Sequence, residues 1–114
     1  MKMKSLEKRL LNLETIVLVL LFVFISFFGG MMNLTVLTTN DGRMPVYWEI
    51  DSTKSHFSFQ NFDEVQNPYL SDIFHIGNRI FSLGDLITIT SLIFIFVVLV
   101  NYIYQKRKLN EIQN

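Results

Sequence analysis

The chain has 114 residues, half of them hydrophobic, with ten Lys and Arg set against ten Asp and Glu and no cysteine. The balanced charge points to no polyanionic partner such as nucleic acid, and the missing cysteine excludes disulfides, thiolate metal sites, Cys catalysis and lipid attachment at Cys. At this length there is room for one unit and no second core domain.

Residues 1–14 form a basic segment with Lys2, Lys4, Lys8 and Arg9. An apolar run without charge follows at 15–37, from Thr15 to Leu37. A bilayer core of about 30 Å needs roughly 20 helical residues, and lipid leaves backbone groups no partners outside the segment, so this run is expected to be a transmembrane helix. A cleaved signal peptide shares the basic-then-apolar order, but its apolar region is shorter and residues 27–32, FFGGMM, offer no A-x-A cleavage site. The sequon Asn33-Leu34-Thr35 lies inside the run, out of reach of glycosylation, and is read as chance.

A second charge-free run, 86–104 from Leu86 to Tyr104, is the second expected span, and the tail 105–114 carries Lys106, Arg107 and Lys108. The connecting stretch 38–85 has three basic residues (Arg43, Lys54, Arg79) against seven carboxylates. The positive-inside rule then places both termini in the cytoplasm and the stretch outside, in a multi-pass protein of the cell membrane. Tyr102 and Tyr104 mark the inner interface, Tyr47 and Trp48 the outer one.

Within the stretch, Val46, Trp48 and Ile50 alternate with polar residues, and Phe57 and Phe59 repeat the period after a Ser/Thr/Lys turn, a pattern of a short β-hairpin. Asn67-Pro68 reads as a helix start and Gly77-Asn78 as a stop, with Tyr69, Leu70, Ile73 and Phe74 on one apolar face, so a two-turn interfacial helix is expected over 68–76. Ser82-Leu83-Gly84-Asp85 fits a capping box before the second span. The expected fold is therefore membrane all-α: a two-helix transmembrane hairpin whose outward loop holds a short interfacial helix and a small β-hairpin.

Ser26, Gly29, Gly30 and Asn33 in the first span, and Gly84, Thr88 and Ser91 in the second, recur at helical spacing. Small and polar stripes let membrane helices approach and hydrogen-bond, so these residues are expected to pack the two helices together or to meet another membrane protein. Between the spans, Asn40-Asp41-Gly42 is turn chemistry and Pro45 keeps Met44 extended. That fixes Arg43 at the membrane surface, where it pairs with Asp85, with Asp72 or Asp41 as competitors, or serves as a phosphate or headgroup ligand.

The segments NDGRMPV (40–46), His56 in the following loop, Leu70-Ser71-Asp72 and Phe81-Ser82-Leu83-Gly84-Asp85 resemble the small bacterial membrane proteins of the domain of unknown function family 5317, over roughly residues 30–100. Members of that family are often longer, with further membrane helices on the N-terminal side, so the chain looks like a shortened version. The resemblance implies that Asn40, Gly42, Arg43, Pro45, Asp72, Ser82, Gly84 and Asp85 form one site, and it implies no activity.

Enzymatic patterns are thin. His56 and His75 lack metal-ligand spacing, Asp63 and Glu64 are adjacent, and there is neither a phosphate-cradling loop nor a G-x-S-x-G elbow, so no catalytic residue, metal or cofactor is expected. The expected function is that of a non-enzymatic accessory or assembly subunit of a larger membrane complex, its partner surface formed by Trp48, Phe57, Phe59, Tyr69, Leu70, Ile73 and Phe74. The alternative is a lipid-headgroup or lipid-carrier binding protein using Arg43, Asp72 and Asp85. An oligomeric transporter or channel ranks third, since neither apolar run holds an ionisable residue. The expected partners are the lipid bilayer and either a larger membrane protein or a second copy of the chain, with no nucleic acid.

Overall fold

A computed structural model describes residues 2–113. Met1 and Asn114, the outermost residues of the expected terminal segments, lie outside the described residues. The elements in order are helix α1 (Lys2–Thr39), strands β1 (Met44–Val46) and β2 (His56–Ser58), single 3₁₀ turns at Phe62–Glu64 and Pro68–Leu70, strands β3 (Phe74–Ile76) and β4 (Arg79–Phe81), and helix α2 (Leu83–Gln113).

Both helices are long and apolar enough to cross a membrane, and each extends beyond the apolar run read from the sequence. Only 6% of the α1 window and 11% of the α2 window is buried. Helices so apolar and so little covered differ from the mostly buried core helix of a soluble domain.

The chain divides into two compact units, residues 1–25 with 90–114 and residues 26–89. In the first, α1 and α2 run antiparallel. The rings of Phe22 and Phe94 stack with centroids 5.1 Å apart, Tyr102 donates to Asn12 Oδ1 at 2.9 Å, and Lys4 Nζ reaches the Ile112 carbonyl at 3.3 Å, a cation at the negative end of α2. Ser91, expected in the packing stripe, is buried here.

In the second unit, α1 stops at the turn its sequence encodes. Asp41 and Gly42 take φ of 56° and 76°, and the Gly42 N–H bonds to the Leu37 carbonyl at 2.7 Å, closing a Schellman-type end. The chain then enters β1, whose two edges are both used. Met44 N–H and Val46 C=O bond to Ser55 and Phe59 on the β2 side, while Pro45 C=O and Tyr47 N–H bond to the backbone of Asp72. Pro45 therefore sits where its missing N–H costs no ladder bond.

Two expectations are corrected. Phe57 does belong to a strand opposite the 45–46 region, but β1 and β2 pair in parallel, Pro45 opposite Phe57, so the loop between them is no hairpin turn and Trp48 lies outside both strands. The interfacial helix is reduced to the single turn Pro68–Leu70, because residues 74–81 fold instead as the antiparallel hairpin β3–β4, Phe74 opposite Phe81 and Ile76 opposite Arg79. Gly77-Asn78, read as a helix stop, is its two-residue turn, with Gly77 at φ 59°. The connecting stretch thus holds a β-hairpin at 74–81 rather than at 46–59, and a 3₁₀ turn at 68–70 in place of the interfacial helix.

The core of this unit is small: Val36 from α1, Met44, Pro45 and Val46 from β1, and Phe59 and Val65 from the loop. Around it the rings of Tyr47, Phe59, Phe62 and Tyr69 meet in succession at centroid distances of 5.1–5.7 Å.

Candidate functional site

The polar residues of the second unit gather where α1 meets the start of α2. Ser82 caps α2: its hydroxyl accepts from Asp85 N–H at 3.0 Å, and Asp85 Oδ2 accepts from Ser82 N–H at 3.2 Å, a reciprocal box. Asn33 of α1 completes it, donating to Asp85 Oδ1 at 2.7 Å and accepting from the Ser82 hydroxyl at 2.6 Å. The close approach needed for this is made by glycines. A Cβ at Gly29 would lie 2.6 Å from Thr88 Oγ1 and 2.7 Å from the Gly84 carbonyl, and one at Gly84 would strike Asn33 and the Gly29 carbonyl. Thr88 also donates to the Ser26 carbonyl at 3.4 Å. Gly30, by contrast, faces open space.

Beside this junction lies a cleft of about 620 Å³ lined by Gly30 and Asn33 of α1, His56 of β2, Asp72, Arg79, Ile80 and Phe81 of β4, and Asp85, Thr88 and Ile89 of α2. Asp72 is its deepest acid. Its backbone is locked to β1 on both sides, its side chain is only 10% exposed, and Oδ2 stands 3.8 Å from His56 Nε2. Oδ1 is buried without a hydrogen-bond partner among the described residues. Burial, with the nearby Asp85 carboxylate adding to it, pushes the Asp72 pKa up to about 6. The described His, Asp and Glu side chains do not converge in threes as a metal ion would need.

Arg43 is not part of the cleft, and its expected pairing with Asp85 is corrected. Its Nη2 donates to the carbonyls of Thr53 and His56 at 2.9 and 3.1 Å, and the guanidinium lies over the Phe57 ring at 5.0 Å. It ties down the loop between β1 and β2 instead. Asn40 has a similar role: its carboxamide donates to the carbonyls of Val36 and Gln66 and accepts from Gln66 N–H. Gly42 ends α1, and Pro45 offers its carbonyl to Asp72.

Residues 10–100 match the family of unknown function DUF5317. The chain belongs to that family. Neither a curated protein nor a solved structure matches it.

Of the eight positions that the DUF5317 resemblance grouped, only Asp72 and Asp85 line the cleft; Ser82 and Gly84 belong to the helix junction beside it, and the 40–45 segment holds Asp72 through β1. In this DUF5317 member the expected partner surface is divided as well. Phe59 is core, at 2% exposure, and Phe57 is half-covered by Arg43, whereas Trp48 and Tyr69 are 59% and 70% exposed. Leu70 and Ile73 are half-buried and Phe74 is exposed. Arg79, Ile80 and Ile89 line the cleft without a signal in the sequence, because a helical reading of 68–76 hides strand β4 and Ile89 lies in a uniformly apolar run.

Proposed function

We propose that this protein is a small, non-enzymatic integral membrane protein, both termini cytoplasmic, that binds the headgroup of a lipid or lipid carrier in the cleft at its outward end. The observation that carries the reading is the Asp72 carboxylate: nine-tenths buried, without a partner at Oδ1 among the described residues, and lining a cleft with Arg79, His56 and Asp85. A buried acceptor without a partner costs about 1–3 kcal/mol, and a ligand donor would recover that cost. The cleft volume lies in the range of small-molecule sites, and its wall of Gly30, Thr88 and Ile89 belongs to the two apolar helices, so a headgroup could enter with its chains still in lipid.

The accessory-subunit reading is the second. The exposed rings of Trp48 and Tyr69 support it, since aromatic residues on a surface suit a protein contact. Mass spectrometry of lipids and proteins co-purifying in mild detergent separates the two. Under the headgroup reading one lipid class is enriched over its share of the membrane, and Asp72→Asn removes the enrichment. Lipids retained in membrane proportions by both forms, with a protein co-purifying in fixed ratio, would overturn it in favour of the accessory reading.

A further inference from the structure

Resting on the headgroup reading, we infer that the cleft selects a headgroup joining a primary ammonium to a phosphodiester, the ammonium on Asp72 and the phosphate on Arg79. The charges in the cleft are mixed: carboxylates from Asp72 and Asp85, a guanidinium from Arg79 and an imidazole from His56. A bare anion would be repelled by two carboxylates, and a bare cation would leave Arg79 without use. Arg79 is exposed, and its side chain makes no hydrogen bond or ion pair among the described residues. Its forked donors match phosphate oxygens.

The ammonium must be able to donate. Asp72 Oδ1 has no hydrogen bond among the described residues, and a trimethylated nitrogen has no N–H to give it. Quaternary ammonium ligands are held by several aromatic faces, whereas Phe81 is the single benzenoid ring among the lining residues. Asp85 is engaged by Asn33 and by Ser82 N–H, which leaves Asp72 as the cleft carboxylate with an oxygen not hydrogen-bonded among the described residues. Open space beside Gly30 gives an acyl chain a place to lie against α1.

The test offers the full-length protein in detergent phosphatidylethanolamine, phosphatidylcholine or phosphatidylglycerol of identical chains, or soluble phosphoethanolamine, with retention read by native mass spectrometry. Phosphatidylethanolamine should be retained about tenfold over the other two lipids, the worth of a charge-assisted hydrogen bond to a buried acceptor. Asp72→Asn should bring it to the phosphatidylcholine level. Arg79→Gln, at an exposed side chain, should lower it roughly fivefold with the melting temperature unchanged. Soluble phosphoethanolamine bound as tightly would support the ligand chemistry and assign it a water-soluble source. Equal retention of the three lipids, still lowered by Arg79→Gln, or a preference for phosphatidylglycerol, would overturn the amine selectivity while leaving a headgroup site. Retention indifferent to both substitutions would overturn the site itself.

Discussion

The Asn33 carboxamide of α1 spans both partners of the α2 cap, donating to Asp85 at 2.7 Å and accepting from Ser82 at 2.6 Å. One side chain therefore joins two helices and orders a helix terminus. Asn33→Leu keeps the volume and removes both bonds, leaving Ser82 and Asp85 to each other. It should destabilise the pairing of α1 with α2 by about 1–3 kcal/mol in an unfolding titration in detergent. Asn33→Asp should be worse, since it sets a second carboxylate against Asp85.

Gly29 and Gly30 are adjacent and predict opposite results. Gly29→Ala places a methyl within 2.7 Å of Thr88 and Gly84 and forces the backbones apart, at about 1–3 kcal/mol. Gly30→Ala meets nothing and should be neutral or slightly stabilising in the same titration, as removing glycine from a helix interior generally is.

Arg43 holds two carbonyls of the loop between β1 and β2 and covers Phe57. Arg43→Ala should expose that loop to protease severalfold faster, while Arg43→Lys, with no planar fork, should restore little of the protection. Because Arg43 and Asp85 share no bond, their alanine substitutions should add within about 0.5 kcal/mol in a double-mutant cycle.

Asp72 sets a pH dependence. Its pKa rises from an ordinary value near 3.8 to about 6 on folding, so between those values the folded chain binds more protons than the unfolded one, and stability falls as pH rises through this window. The groups facing it are His56 from β2 and Asp85 from α2, with Arg79 of β4 lining the same cleft. Ligand-free protein should lose roughly 2 kcal/mol from this source between pH 4 and pH 7. Asp72→Asn should flatten that part of the profile and raise the melting temperature at pH 7. An ammonium headgroup prefers the ionised acid, so its retention should strengthen over pH 5–7, opposite in sign to the stability.

Topology can be read with single cysteines at Ser5, Ser55 and Gln113 and an impermeant thiol reagent on intact cells. Position 55 alone should label. Labelling at 5 or 113 would reverse the orientation inferred from the Lys and Arg distribution.

Features written in local chemistry were legible in the sequence: the apolar runs, the Ser82/Asp85 box, and the turn at Asp41-Gly42. Those that depend on distant register were not. Tyr69, Leu70, Ile73 and Phe74 carry a helical period, yet the Gly-Asn turn and the β-branched and aromatic residues on either side of it signal a hairpin, and pairing with β4 outweighed a period too short to hold a helix in water. Arg43 was matched to a carboxylate because charges are visible in a sequence, whereas the carbonyls it actually meets belong to no residue type. Asn33 was placed on the packing stripe by spacing, but its partners lie 49 and 52 residues ahead. The parallel pairing of β1 with β2 and the bridge from β1 to Asp72 left no local trace either.

That separation has a consequence for how the chain is made. During synthesis Asn33 leaves the ribosome before Ser82 and Asp85, and until they follow its carboxamide has no partner on the second helix. The first helix can form on its own, but its polar pairing waits for the start of the second. Chains stopped before residue 82 should therefore be degraded faster than the full chain, because α2 completes the polar pairing of α1 as well as anchoring its own end.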